Sequence, residues 1–280
     1  MNKVTRRILQ IIIGIVLLFW SLAPLYWGLI VSLSNPSGLQ AVPPPIIPKP
    51  FTISYYTSLL NGHSAVSLTF LHEYLNSVIE AVLTTVVTVA IAAFAGYGFI
   101  RLKFKGSTAI FFVIIGTMSL PIYAVLIPLF QMITNMGLTD TYFAIVVINC
   151  SGSLPLAIWL IRSHVASLPV SIEEAARIDG ASRGKLVLRI VIPLIAPGMA
   201  STSIVVLLTS WSSFLIPLVF APTPQAMPLT VLITQYATKY ATNYGLQAAA
   251  GILALIPPII VVAWFNRHLI RGLLGGSVTS

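Results

Sequence analysis

Acidic side chains are scarce in this chain. Six aspartates and glutamates occur in 280 residues, and charged residues of both signs make up only 8%. A soluble domain carries roughly 25% charged residues, so this little charge cannot cover the surface of a water-soluble fold. With 57% of residues hydrophobic, the surrounding solvent is largely lipid. There is one cysteine, Cys150, which excludes an internal disulfide; lying in an apolar run, it reads as an inert buried thiol. Histidines are few, and His63, His72, His164 and His268 lack metal-ligand spacing, so no metal site is expected. No nucleophile-and-base set has local support, so no catalytic residue is assigned. Lysine and arginine number fifteen and give a net charge of +9. They border the apolar runs, a membrane-topology pattern rather than a nucleic-acid stripe. No hydrophilic block is long enough to fold alone, which points to one integral membrane domain over residues 1–280.

What the chain has is long apolar runs. A membrane helix needs about 20 mostly apolar residues. Six stretches qualify, near residues 8–33, 75–100, 107–130, 142–161, 190–220 and 245–265, the fifth overlong and interrupted by proline. The first follows Lys3, Arg6 and Arg7 and runs on through Trp20 and Tyr26, past the 7–15 apolar residues of a cleaved signal, so it reads as a retained anchor. With the N-terminus inside, the inner segments hold thirteen bases: Lys3, Arg6, Arg7, Arg101, Lys103, Lys105, Arg162, Arg177, Arg183, Lys185, Arg189, Arg267 and Arg271. The outer segments hold only Lys49 and Lys239. Both termini are therefore expected in the cytoplasm. The fold class is an all-α multi-pass protein of the cell membrane with six spans. The outside loop, about 34–74, carries "AVPPPIIPKPF", a stiff extended run that serves as a connector or as a docking surface.

The densest charge lies between the fourth and fifth spans, in "SIEEAARIDGASRGKLVLRIVIPLIAPG". Ser171 stands three residues before Glu174, the spacing of a capping box, which predicts a short helix from about Ile172. Glu173 and Glu174 in its first turn suit the helix dipole. Ile172, Ala175, Ala176 and Asp179 fall near one face, and the two alanines admit a close neighbour. Gly180 follows at the position of a left-handed C-terminal residue, and Ser182 is placed to cap a second helix to about Val191. The predicted shape is helix, glycine turn, helix. It reads either as an amphipathic elbow on the membrane surface or as a plug for a groove in a partner.

This segment resembles the cytoplasmic EAA loop of permease subunits in ATP-binding-cassette (ABC) importers: E-A-A, three residues, G, nine residues, I-x-L-P. Here Glu174-Ala175-Ala176, Gly180 and Ile190-Val191-Ile192-Pro193 match, with Ile192 replacing leucine, in a loop of about residues 168–193. "YLNSVIEAV", "AGYGFIRLKFKG", "GLTDTYFAIVV", "LPLAIWLIRS", "PLIAPG" and "FNRHLIRGLLGG" are similar to blocks of the carbohydrate-importing, maltose-permease-like branch. The resemblance implies a six-span permease that is not itself an ATPase. Its elbow, Glu173, Glu174, Ala175, Ala176, Asp179 and Gly180, with Ser171, Ile190 and Pro193 in support, would seat in a cytoplasmic ATPase dimer, Glu174 pairing with a base there. It further implies a second permease subunit, a heterodimeric pore being favoured. ATP and Mg would sit on the ATPase subunits, with no cofactor in this chain. An external substrate-binding protein would deliver a sugar or oligosaccharide, carried by alternating access. Nucleic acid is not an expected partner. The family usually has W-N after the mid-fifth-span serine, where this chain has Ser210-Trp211-Ser212-Ser213, so the same machine with a non-sugar cargo is the rival.

Polar residues within spans are costly in lipid and mark pathways or packing. The fourth span holds Asn149, Ser151, Gly152, Ser153 and Pro155; the fifth holds Thr209, Ser210, Trp211, Ser212 and Ser213. Their hydroxyl, amide and aromatic groups suit a sugar near a broken helix. Glu80, the only carboxylate well inside a span, reads as an outer-boundary residue paired across the subunit interface or as a proton-coupling group. "GASRGKL" is no phosphate loop, because three residues separate its glycines and Leu186 follows Lys185. A secondary transporter or channel would need repeats or an ion relay, which the sequence does not display.

Overall fold

A computed structural model describes residues 3–39, 45–102, 104–237 and 243–264. Part of the proline run, the "FNRHLIRGLLGG" tail, Lys103, Lys239, Arg267, His268 and Arg271 lie outside these. The described residues are helical apart from turns and one β-bridge, Ser34 to Phe51. In chain order the α-helices are α1 (Lys3–Ser32), α2 (Pro36–Leu39), α3 (Ser54–Leu60), α4 (Ala65–Arg101), α5 (Ser107–Gly116), α6 (Ile122–Asn135), α7 (Tyr142–Ala166), α8 (Val170–Ile178), α9 (Arg183–Leu186), α10 (Ile192–Trp211), α11 (Leu215–Phe220), α12 (Leu229–Gln235) and α13 (Tyr244–Ala254).

Among the described residues, five continuous helical stretches are long and apolar enough to cross a membrane: Lys3–Ser32, Ala65–Arg101, Tyr142–Ala166, Arg183–Trp211 and Tyr244–Trp264. The third expected span is a broken one. Pro121 pushes Leu120 into an extended conformation (ψ 122°), which ends one helix and starts another at Ile122. The two halves, Ser107–Ser119 and Ile122–Asn135, meet at 98°, and a sixth span is counted only if they act as one. The second span begins ten residues earlier than residue 75, at Ala65. At 37 residues it is about 55 Å long, nearly twice the roughly 30 Å hydrocarbon core.

The packing divides the chain into two compact units: Met1–His72 with Val231–Ile256, and Glu73–Thr230 with Pro257–Ser280. In the first unit α1 lies along α13, and α3 packs on α13. Most of the α1 surface is bare apolar side chain, Trp20 at 79% exposure among them, a surface compatible with lipid and not with water. The stretch after the proline run returns to the end of α1. Thr52 N–H donates to the Leu33 carbonyl (2.9 Å), and Asn35 N–H donates to the Pro50 carbonyl (3.1 Å).

The second unit is organised by α4, α7 and α10 around one apolar core that includes Ala92, Tyr97, Ile161, Val165, Leu186 and Val191. Thr141 caps α7 by accepting from Ala144 N–H (3.3 Å). The neighbouring Asp140 carboxylate accepts from the Thr223 hydroxyl and so holds the segment after α11. Cys150 is buried, as its apolar run suggests. Before α10 the chain makes a π-turn over Val187–Val191. Pro193 has no N–H, and its ring crowds the Arg189 carbonyl four residues back, so a wider turn is the local solution.

Candidate functional sites: an anchored elbow and a polar cavity

The elbow is built by α8 and α9. Pro169, with its ring-fixed φ (−59°) and an extended ψ (131°), takes the N-cap position, and the helix begins at Val170. The start at Ile172 and the capping box are therefore corrected: Ser171 lies inside the first turn, and no side chain caps this end. The far end follows the sequence reading. Gly180 is left-handed (φ +78°). Ala181 N–H donates to the Ala176 carbonyl (2.9 Å) and Gly180 N–H to the Arg177 carbonyl (3.1 Å), which is a Schellman closure. A second helix does start at Arg183, with Ser182 extended before it but without a side-chain cap.

The two faces of α8 differ sharply. Glu173 (2% exposed) and Ala176 point into the chain, Ala176 joining the Tyr97–Val165–Leu186 core. Ser171, Ile172, Glu174, Ala175, Ile178, Asp179 and Gly180 are exposed, Ile178 at 86%. The expected common face of Ile172, Ala175, Ala176 and Asp179 is thus split. At 100° per residue, Glu173 and Ala176 define the inner side, leaving Ala175 alone of the two alanines on the outer one. Ile190 is half-buried against the same core and Pro193 is exposed.

Glu173 is held by residues that the sequence reading missed. Arg101 Nε, at the end of α4, meets Glu173 Oε1 at 2.5 Å, and the Tyr97 hydroxyl donates to Oε2 at 3.3 Å. Arg177 stands 4.0 Å from Oε2 one helical turn along. Arg101 also donates to the carbonyls of Val165 (3.2 Å) and Leu168 (2.7 Å), which close the end of α7. The signal available in sequence was an arginine ending an apolar span, with nothing to connect it to an acid 72 residues away.

The second site is a cavity of about 460 Å³ between the broken third span, α7, α10 and α11. Asn149, Ser151, Ser153, Thr209 and Ser213 supply its polar lining; Met118, Leu129 and Phe214 are among its apolar walls. Asn149 is buried. Its Oδ1 accepts from the Ser213 hydroxyl (3.0 Å), while its Nδ2 has no partner among the described residues. Pro155 leaves the Ser151 carbonyl without its helical donor. Of the six residues expected to line a pathway, Asn149, Ser151 and Ser213 come together here. The other three do not. Trp211 is buried edge-on to Tyr74 (5.8 Å, 77°), Ser210 is buried beside it, and the Ser212 hydroxyl turns back onto the Leu208 carbonyl (2.7 Å). The helix break falls at residues 212–214, so only the last of the serines reaches the cavity.

Glu80 is 3% exposed within this chain, which corrects its expected place at a subunit boundary. It belongs to a buried stripe on α4 with Glu73, Asn76, Ser77 and Thr84, residues at three- and four-residue spacing. Asn76 donates to the carbonyls of Pro224 (3.1 Å) and Met227 (2.9 Å), and Ser77 Oγ accepts from Leu229 N–H (2.8 Å). This end of the stripe fixes the segment between α11 and α12.

Membrane-length helices, a charged elbow fixed on one side and bare on the other, and a polar-lined cavity at broken helices define a multi-pass membrane transport protein. The binding-protein-dependent transport system inner membrane component family matches residues 88–275, and the chain belongs to it. Over 279 residues it is 31% identical to the trehalose/maltose transport system permease protein MalG of Thermococcus litoralis, covering 99% of this chain and 98% of that one. It is 28% identical to the trehalose transport system permease protein SugB of Mycobacterium tuberculosis, covering 92% and 93%. Its fold is that of a chain in the crystal structure of a bacterial ABC transporter involved in the import of the acidic polysaccharide alginate. That match has a TM-score of 0.79 at 22% identity and covers 95% of this chain and 98% of the other.

Proposed function

We propose that this chain is one half of a paired permease in an ATP-driven importer of a sugar or oligosaccharide, with six spans and both termini in the cytoplasm. The observation that carries the reading is the two-sided elbow. Its inner side is welded to the chain's own core, and its outer side offers Ala175, Ile178 and Glu174, the last with no hydrogen bond or ion pair among the described residues. A small-residue helix face with one anion and one large apolar side chain suits a cleft in a partner with a base at its rim. That partner is a cytoplasmic ATPase dimer, which binds the ATP and Mg; this chain carries neither. Closure of the dimer moves the elbow, and the spans around the cavity alternate between inward- and outward-facing states. A binding protein delivers the cargo on the outer side, and a second permease subunit, different from this one, completes the pore. Likeness to trehalose and maltose permeases along nearly the whole chain supports a sugar as cargo.

The test is ATP hydrolysis by this chain co-purified with its native partners in lipid, with maltose, trehalose, an acidic oligosaccharide and methionine, each with and without the binding protein. One sugar should stimulate hydrolysis only when the binding protein is present. Stimulation by methionine alone, or an ATPase that never co-purifies, defeats the reading.

Within the cavity Asn149 offers the amide that position 212 lacks. Asn149→Leu should lower uptake efficiency about tenfold, on the order of one lost hydrogen bond to cargo, through a raised half-saturating concentration. Hydrolysis without sugar should stay unchanged. An unaltered concentration dependence would remove Asn149 from the pathway.

A further inference from the structure

The burial of Glu173 assigns a task to a residue outside the elbow. We infer that Arg101 is a positioning residue for coupling: it pins the elbow helix to the cytoplasmic ends of α4 and α7, so that a push on α8 becomes a movement of those two spans. The inference rests on the importer reading given above.

One guanidinium joins three elements. Its Nε binds Glu173 on α8, and its terminal nitrogen binds the carbonyls of Val165 and Leu168 where α7 ends. Arg101 itself is the last residue of α4. The Arg101 side chain is 11% exposed and that of Glu173 is 3% exposed, so the pair is nearly dry. A dry ion pair adds little net stability over apolar packing, since desolvation offsets the attraction. What it does provide is a fixed distance and direction. The planar fork of arginine suits that use, because it holds carboxylate and carbonyls at set angles; the flexible ammonium of lysine reproduces the charge without the fork. Tyr97, one turn before Arg101, holds the other carboxylate oxygen. Ala176 fills the core beside it, so α8 is fixed at two points along its length and cannot roll. The adjoining joint is equally firm. Arg162 of α7 lies 4.3 Å over the Phe111 ring of α5, and Phe111 packs edge-on to Phe99 of α4.

An elbow seated in the ATPase but loose from α4 and α7 would let the ATPase close without moving the spans. Hydrolysis would then continue while transport stalls. Arg101→Met, Arg101→Lys and Glu173→Gln are compared with wild type in the whole importer, reconstituted in proteoliposomes with its binding protein and the panel sugar that stimulates wild type. Three quantities are read: co-purified ATPase, sugar-stimulated hydrolysis, and sugar taken up per ATP hydrolysed. For Arg101→Met the ATPase should remain bound, hydrolysis should lose its dependence on sugar and binding protein, and uptake per ATP should fall at least tenfold. Arg101→Lys should recover part of the ratio, and Glu173→Gln, which keeps the shape and one acceptor, should lower it about threefold. A merely structural role would lower the amount of assembled complex without changing the ratio. If Arg101→Met does not assemble, Glu173→Gln decides: a wild-type ratio in the assembled complex overturns the inference. A wild-type complex that shows no sugar-dependent hydrolysis defeats the importer reading instead.

Discussion

Replacing Glu174 with arginine is expected to abolish uptake and to strip the ATPase from the purified complex, while the chain itself inserts and folds as before. The contrast with Glu173 makes the expectation sharp. The two carboxylates are adjacent, yet one is exposed and the other is 2% exposed and paired. An exposed side chain away from special features changes stability by about 0.5 kcal/mol or less, so the melting temperature of the isolated chain should not move. In the proposed seat on the ATPase the same residue would be one partner of a desolvated charge pair, and truncating such a pair costs about 2–5 kcal/mol. That corresponds to roughly thirtyfold weaker docking at the low end, and arginine adds repulsion from the facing base. Glu173→Ala should do the reverse. It leaves a buried guanidinium without its carboxylate, a loss of about 3–5 kcal/mol, and should lower the melting temperature of the chain. Full uptake by Glu174→Arg, or a stability loss equal to that of Glu173→Ala, would place the docking contact elsewhere.

These two residues also mark how far the sequence could be read. Solvent, helix content and most span positions followed from composition and apolar run length, because lipid leaves few ways to satisfy a backbone. The left-handed turn at Gly180 was legible because only a residue without Cβ adopts it freely. What failed depends on contacts between distant segments. The Ser171–Glu174 spacing matches a capping box, but Pro169 fixes the helix start two residues upstream of the expected one and makes that match accidental. Helical periodicity places Glu173 and Ala176 on one side of α8 but does not say which side meets the core. That is decided by Arg101 and Tyr97, more than 70 residues away. The Pro121 break was hidden inside an apolar run, since a single proline barely lowers the mean hydropathy of a span-length window and yet ends the helix. In the cavity the serine run was read as a set, whereas the helix ending near residue 212 sends Ser212 back onto its own carbonyl ladder and only Ser213 forward.

Gly198 carries the last expectation. It lies on α10, buried where that helix crosses α7, and a Cβ built there overlaps the ring of His164. Small residues at such crossings let membrane helices approach closely, because packing rather than water drives their association. Gly198→Leu should therefore separate α7 from α10 just below the elbow, with overpacking that costs upwards of about 3 kcal/mol, and both folded yield and transport should collapse. Gly198→Ala tests the cause. Alone it should destabilise the chain by about 2 kcal/mol, as the ring has to leave its place. In a His164→Ala background the obstructing ring is gone, and alanine outranks glycine in a helix by about 1 kcal/mol; the same substitution should then be neutral or stabilising. The difference between the two backgrounds is a coupling of about 2–3 kcal/mol, well above the roughly 0.3–0.5 kcal/mol within which independent sites add. Thermal unfolding of the four proteins in detergent measures it. Equal effects of Gly198→Ala in both backgrounds would show that His164 does not set the distance between these helices.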